Sequence, residues 1–181
     1  MGTPGAQSLI SEQYRAMQKA LHKQSGYGQA SVQMAPAVAE FIRRHRIEEM
    51  LDYGAGKGRL AQELEWLVPW PVRVHQYEPA MPEWSATPQP CGFVACIDVL
   101  EHIEPHLLEN VLDDLKRVTA GAGLFTVATG PAVKVLPDGR NAHLIQQPPS
   151  WWLPHFLARF ELMSFSSAPY GFRIEVRRLP A

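Results

Sequence analysis

The chain has 181 residues, of which 46% are hydrophobic and 19% are charged, and its formal net charge is -1. This mixed composition excludes collagen-like, coiled-coil and disordered classes, and the length suits one domain. No apolar run reaches the roughly 18 residues that a membrane span requires. Because Cys91 and Cys96 are the only cysteines, a disulfide framework is implausible, and we expect a single domain in the cytoplasm with no membrane association.

Charge is distributed unevenly along the chain. Residues 51–118 carry 11 Asp/Glu against 5 Lys/Arg, whereas the segments before and after them are mildly basic. Proteins that bind nucleic acid normally present a field of one sign, so this pattern disfavours duplex DNA as the main partner. The basic ends are either ordinary solvated charge or a rim around a substrate entrance.

Two helices are predicted at the N-terminus. Over residues 8–23, apolar side chains recur at spacings of three and four, which is typical of a helix with one buried face. A Ser-Gly-Tyr-Gly run at 25–28 ends that helix, because glycine readily takes the left-handed conformation. A second helix is predicted over 31–45. We expect residues 1–46 to form a helical lid on an α/β core made by residues 47–181.

Strands and helices alternate from residue 50 onwards. The alternation predicts a Rossmann-like α/β domain with a mostly parallel sheet, helices on both faces and a C-terminal antiparallel hairpin. Ligands of such sheets bind beyond the carboxyl ends of the strands, so the functional residues are expected just after each strand. The predicted strands are 50–53, 72–77, 92–97, 124–128, 161–167 and 172–178. One predicted helix ends at Leu67, a second spans about 105–119, and Ser150 can cap a third.

A glycine-rich loop, DYGAGKG over 52–58, follows the first of these strands. Glycines remove the side chains that would keep a ligand from the backbone. Glu78 ends the second strand, where a carboxylate can accept two hydrogen bonds from a ribose diol. The Gly-x-Gly-x-Gly spacing differs from the dinucleotide fingerprint, and the extra carboxylate of Asp52 favours a ligand with a cation and an amino group over a diphosphate. The alternative is a glycine turn needed only for packing.

These motifs together resemble class I S-adenosylmethionine-dependent methyltransferases. The segment LDYGAGKG at 51–58 resembles the family's first motif, Tyr77-Glu78 its acidic second-strand end, and CIDVLEHI at 96–103 the segment leaving its fourth strand. The resemblance covers roughly residues 45–178 and implies S-adenosylmethionine as the cofactor, with Glu78 on the ribose. The expected cofactor-binding residues are Asp52, Gly54, Ala55, Gly56, Gly58, Glu78, Trp84, Asp98 and Val99.

One departure from the family's pattern lies between its second and fourth strands. Only thirteen residues, 79–91, lie between Glu78 and Gly92, and four of them are prolines, which resist a central strand. We infer that the third strand and the helix before it are lost or reduced to a loop. Trp84 in this segment is a candidate for stacking on the adenine, or else it covers an exposed sheet edge.

The acceptor side is predicted from two segments. Asp98 and His102 follow the strand at 92–97, and histidine suits general-base catalysis, although His102 also fits a histidine packed under the next helix. The loop over 130–149 is long, and such loops are usually functional. The expected catalytic residues are Asp98, His102 and His143, and the expected substrate contacts are Tyr27, Arg140, Asn141, His143 and Trp152. No metal site is expected, because no His/Cys spacing matches a zinc site.

The sequence therefore favours an S-adenosylmethionine-dependent methyltransferase that acts on a small molecule or a nucleobase-like group by direct displacement. The alternative is a cofactor-binding pseudoenzyme or non-catalytic partner, which the shortened segment after Glu78 motivates. An NAD-dependent enzyme is disfavoured by the glycine spacing. Motifs of DNA amino-methylating enzymes are absent after the strand at 92–97. The sequence does not predict the oligomeric state.

Overall fold

The computed structural model describes residues 8–22, 28 and 30–179, and these form a mixed sheet with helices on both faces. The sheet has the strand order β2-β1-β3-β4-β6-β5, in which β1 to β4 are parallel and β6 is antiparallel to both β4 and β5. This confirms the predicted fold class. The strands are β1 (Glu49–Tyr53), β2 (Arg73–Tyr77), β3 (Cys91–Ile97), β4 (Thr119–Ala128), β5 (Phe160–Ala168) and β6 (Gly171–Arg178), and the helices are α1 (Glu12–His22), α2 (Ala30–His45), α3 (Arg59–Leu67), α4 (Leu108–Val118) and α5 (Pro149–Leu157).

The hydrophobic core lies on both faces of the sheet. Successive side chains of a strand point to opposite faces, and β3 shows this directly. Phe93 and Ala95 pack with α2 and α3, whereas Val94 and Cys96 pack with α4 and α5. The central strands are therefore buried on both faces, as their continuous apolar sequence predicted. None of the described helices is long and apolar enough to cross a membrane.

The sheet ends at β2, where the family's third strand would otherwise continue it. Among the described residues between Glu78 and β3, the chain forms one 3-10 turn, Pro82–Trp84, and no strand. Prolines lack the N–H group that a central strand must donate. The predicted loss of the third strand is thus confirmed.

Helix α5 belongs to the core, and its start differs from the prediction. Ser150 was expected to cap it, but the helix begins at Pro149 and the residue before it, Pro148, makes no side-chain capping bond. Proline fits the first turn of a helix, where an N–H partner is missing anyway. Trp152 and Phe156 are the buried residues of this helix.

Helix α1 lies across the carboxyl edge of the sheet. The backbone N–H and hydroxyl of Ser11 both donate to Glu104 over 2.8 Å, and the Tyr14 hydroxyl donates to the His102 carbonyl over 2.6 Å. Tyr14 and Leu21 also pack on the loop that follows β4. Helix α2, by contrast, packs in the core. Ala30 and Ser31 at the start of α2 nevertheless line the cavity described below, and the helical lid over residues 1–46 stays a prediction.

Candidate functional site

A cavity opens at the carboxyl ends of β1, β2 and β3, between these strands and α1. This is the edge at which parallel sheets bind their ligands. The loops after the three strands and the loop after β4 all contribute to its wall. Among its lining residues are Gly54, Ala55, Gly56, Glu78, Asp98, Val99, His102 and His143, each of which the sequence assigned to a site.

The glycine loop forms one wall of this cavity. The backbone N–H groups of Gly54 and Ala55 both donate to the carbonyl of Tyr77, over 2.8 and 2.9 Å, which ties the loop to the end of β2. Gly54 has φ +83°, and a Cβ placed there would lie 2.3 Å from a methyl carbon of Val99. Only glycine satisfies both the backbone conformation and the close approach.

Glu78 connects the loop to the end of β2. It is 8% exposed; one carboxylate oxygen accepts from the Gly56 N–H over 3.2 Å, and the other accepts from the Ala80 N–H over 3.0 Å. Burial raises the pKa of Glu78, while the two backbone donors lower it. Each carboxylate oxygen accepts more than one hydrogen bond, so Glu78 retains acceptor capacity for a ligand hydroxyl.

His22, from α1, is close to the same carboxylate. Its Nε2 lies 3.8 Å from Oε2 of Glu78. Burial, with a smaller contribution from Lys57, lowers the pKa of His22 to about 4. The ring is therefore neutral at pH 7, and the contact is not an ion pair under those conditions.

Three residues assigned to the cofactor lie behind the loop instead of lining the cavity. The Asp52 carboxyl is buried, and burial followed by the charge of Glu78 raises its pKa to about 7. A Cβ on Gly58 would meet Gln76 and, at 2.9 Å, the ring of Trp84. Trp84 thus packs on the outer side of the loop, so the expected adenine stacking is not what this arrangement provides.

Asp98 occupies a strained position directly after β3. Its φ is +51°, a value that residues other than glycine rarely adopt. Its backbone N–H donates to the hydroxyl of Thr126 over 2.9 Å, and that hydroxyl donates to the Asp98 carboxylate over 2.5 Å. Burial raises the pKa of Asp98 and the Thr126 hydroxyl lowers it. Surrounding bonds that hold strained backbone in this way are frequent at functional sites.

His102 and His143 meet edge to face, with ring centroids 4.7 Å apart. Nδ1 of His102 lies 2.7 Å from the Ala142 carbonyl, and Nδ1 of His143 lies 2.7 Å from the Gly130 carbonyl. A carbonyl only accepts, so each Nδ1 carries the donated proton. Burial, then the neighbouring His143, lowers the pKa of His102 to about 4, which keeps it in its basic, neutral form at pH 7.

Three of the remaining predicted substrate contacts, Arg140, Asn141 and Trp152, do not line the cavity. Asn141 uses its side chain inside its own loop, bonding to the backbone of Ala132 and of His143. Arg140 pairs with Asp138, over 2.6 Å, on the outside of that loop. Trp152 is fully buried in the core, which corrects the sequence interpretation of it as a substrate contact. Tyr27 lies outside the described residues.

Several cavity-lining or neighbouring residues were not found from the sequence. Tyr14 and Gln18 of α1 line the cavity, but their helical spacing indicated only a buried face. Pro79 also lines it, and its position next to Glu78 was the available signal. Glu101, which lies just before the predicted helix at about 105–119, is fully buried beside His102. Together with Asp52, Glu78 and Asp98, it places four carboxyl groups at this edge, and a bound cation would favour their ionised forms.

No protein-family model and no curated protein sequence matches the chain. Solved structures do. A 1,6-didemethyltoxoflavin-N1-methyltransferase from Burkholderia thailandensis, with bound 1,6-didemethyltoxoflavin and S-adenosylhomocysteine, superposes with a TM-score of 0.66 at 15% identity, over 99% of this chain and 94% of that one. The magnesium protoporphyrin IX methyltransferase of Synechocystis PCC 6803, with bound S-adenosylhomocysteine, gives a TM-score of 0.59 at 13% identity, over 91% and 93%. The chain has the class I methyltransferase fold.

Compared with the class I methyltransferase fold, the described part of this chain lacks the strand that would lie beyond β2 at the edge of the sheet. The glycine loop after β1, Glu78 after β2 and Asp98 after β3 occur in the order that the motifs predicted. Pro79, the first residue of the shortened segment, lines the cavity.

Proposed function

We propose that this protein is an S-adenosylmethionine-dependent methyltransferase that acts on a small-molecule or nucleobase-like acceptor. The observation that carries the proposal is the placement of Glu78. Its buried carboxylate accepts from the Gly56 N–H of the glycine loop and lines a cavity whose far side holds the rings of His102 and His143. A carboxylate that faces a ribose, next to bare backbone, is the arrangement that an adenosyl ligand needs.

The cofactor's charges support this orientation. S-adenosylmethionine carries a sulfonium and an ammonium group, both positive, and the cavity edge holds several carboxylates. In the proposed arrangement, the ribose hydroxyls donate to Glu78, and the methionine part extends along Gly54 and Gly56 towards Asp98. The adenine then lies between Pro79 and Val99, which replace Trp84 as the expected contacts of the adenine ring. Carboxylates in a partly buried site attract a cation more strongly than they would in water.

The reaction follows from this placement. A lone pair of the acceptor attacks the methyl carbon, the carbon–sulfur bond breaks, and its electron pair stays on sulfur, which becomes the neutral thioether of S-adenosylhomocysteine. Alignment of acceptor, methyl and sulfur supplies much of the rate. Where the acceptor must lose a proton, His102 and His143, which line the cavity, are the candidates for removing it.

The shape of the cavity supports a small acceptor. Its side beneath α1 is apolar and includes Leu9, Ile10, Ile103 and Val111, which suits a compact molecule with an apolar face. A structure with the same fold was solved with 1,6-didemethyltoxoflavin bound. Both observations favour a small molecule over a polymer.

Gly54→Ala tests the proposed function. We expect S-adenosylhomocysteine to bind the wild-type chain in a calorimetric titration and to bind Gly54→Ala at least about tenfold more weakly. The new Cβ meets Val99 at 2.3 Å, and the left-handed backbone costs a further ~1–2 kcal/mol for an L-residue. Gly92→Ala is the matched control, because a Cβ there meets nothing within 4 Å.

Absence of saturable binding by the wild-type chain, or equal affinities of the two glycine variants, would contradict the proposal. A screen of acceptors with methyl-labelled S-adenosylmethionine then separates an enzyme from a cofactor-binding partner. Transfer of label to any small acceptor supports the enzyme, whereas cofactor binding without transfer across hydroxyl, amine and heterocyclic acceptors favours the partner.

A further inference from the structure

Three side chains at the acceptor end of the cavity form a cluster of the residue types that bind metal ions. One carboxylate oxygen or ring nitrogen from each of Glu101, His102 and His143 lies within 4.8 Å of the others. Bonds from such atoms to a transition-metal ion are about 2.0–2.2 Å long, so small side-chain rotations bring all three onto one ion. His102 and His143 line the cavity, and Glu101 lies directly beneath it.

The two histidines have the hydrogen bonds of metal ligands. In each ring, Nδ1 donates to a backbone carbonyl at 2.7 Å, from Ala142 for His102 and from Gly130 for His143. In the neutral ring this puts the lone pair on Nε2 and fixes the orientation of the imidazole. Metal-binding histidines almost always donate their other N–H to a carbonyl, carboxylate or water in this way.

Glu101 supplies a carboxyl group with an unused oxygen. Its side chain is fully buried; Oε1 accepts from the Ala128 N–H over 2.9 Å, while Oε2 is buried and makes no hydrogen bond within the described part of the chain. An unpaired carboxylate oxygen in the interior is costly. A bound cation would satisfy it, and the nearby Asp98 carboxylate adds negative charge at the same edge.

The cluster is also held rigidly. Glu101 and His102 lie in the 3-10 turn Leu100–His102, and the carbonyl of Glu101 accepts from the Ile145 N–H over 3.0 Å. The Asn141 side chain bonds to the His143 N–H over 2.9 Å and thereby fixes the approach of the loop. These bonds inside the loop hold His143 next to His102, which lies 41 positions earlier in the chain.

We propose that Glu101, His102 and His143 bind one divalent transition-metal ion at the acceptor end of the cavity. Two imidazoles and one carboxylate suit Fe²⁺, Mn²⁺, Co²⁺ or Zn²⁺ and leave coordination positions open towards the cavity. The ion's role rests on the proposed function and replaces the histidine base considered there: the ion binds a hydroxyl oxygen of the acceptor and promotes loss of its proton to water. The resulting oxyanion attacks the methyl carbon, so the acceptor class is an oxygen nucleophile.

Co²⁺ titration of the chelator-treated, dialysed protein tests the site without any cofactor. We expect saturation at one ion per chain, with a visible absorption band from bound Co²⁺, and affinity at least about tenfold weaker in Glu101→Gln and in His143→Gln. Glutamine at 101 still accepts from Ala128, which preserves the fold, and His143 lies in a loop. His106→Gln is the control, because His106 is an exposed histidine outside the cluster.

No saturable Co²⁺ uptake by the wild-type protein, or uptake unchanged in both variants, would overturn the metal site. The same samples titrated with S-adenosylhomocysteine separate this result from the proposed function. Metal uptake without cofactor binding would contradict the methyltransferase and leave the metal site standing, whereas cofactor binding without metal uptake would contradict the metal site alone.

Discussion

Replacement of Trp152 by alanine is expected to lower the free energy of unfolding by about 3–5 kcal/mol, the usual cost of removing a large buried aromatic side chain. Trp152 is fully buried on α5, with its ring centroid 5.1 Å from that of Trp151 and 6.3 Å from that of Phe156. Its loss leaves a cavity in the core that the neighbouring rings cannot fill. Chemical denaturation followed by circular dichroism measures the change.

Two further tryptophan variants show whether the effect comes from core packing. Trp66 is 87% exposed, so Trp66→Ala is expected to change stability by no more than about 0.5 kcal/mol. Trp152→Phe keeps an aromatic ring and removes an indole N–H that has no hydrogen-bond partner among the described residues, so it should cost less than Trp152→Ala. Unchanged stability of Trp152→Ala, together with weakened acceptor binding, would contradict the core role of Trp152 and support the predicted substrate contact.

Glu78→Gln is expected to weaken S-adenosylhomocysteine binding by about 10- to 100-fold. Hydrogen bonds to a charged acceptor are worth about 1.5–3 kcal/mol, and the amide offers the ribose hydroxyls one acceptor oxygen where the carboxylate offers two. The side chain keeps its size, and its remaining oxygen can still accept from Ala80. The measurement is a calorimetric titration at a pH where the wild-type carboxylate is ionised.

Glu83→Gln is the matched control for Glu78→Gln. Glu83 lies five residues later and is exposed in the 3-10 turn Pro82–Trp84, and its replacement by glutamine changes the net charge by the same amount. The Glu83→Gln variant should bind S-adenosylhomocysteine with wild-type affinity. Equal losses of affinity in the two variants would indicate a general charge effect and would contradict the predicted contact between Glu78 and the ribose.

The side of the cavity that the glycine loop and Glu78 form was predictable because its signals are local. A glycine loop between a strand and a helix, followed by an acidic strand end, places Gly54 and Glu78 at the same edge of any parallel sheet. The prolines of residues 79–91 predicted the absence of the third strand for an equally local reason, the missing backbone donor. In each case the residues that determine the local structure lie within one short segment of the sequence.

The acceptor side depends on contacts between distant segments, which spacing along the sequence does not show. His143 reaches His102 only because the loop after β4 folds back on itself around the Asn141 side chain. That fold uses Asn141 internally and turns Arg140 outward, so neither acts as predicted. Glu101 resembled an ordinary acidic helix start, and only its burial beside two histidine rings distinguishes it.

A crystal structure with S-adenosylhomocysteine tests the central claim most directly. Our account predicts the ribose hydroxyls within hydrogen-bond distance of the Glu78 carboxylate, the homocysteine part along Gly54 and Gly56, and the sulfur directed towards His102 and His143. A ligand bound elsewhere, or a cavity closed by the protein's own side chains at saturating ligand, would contradict it.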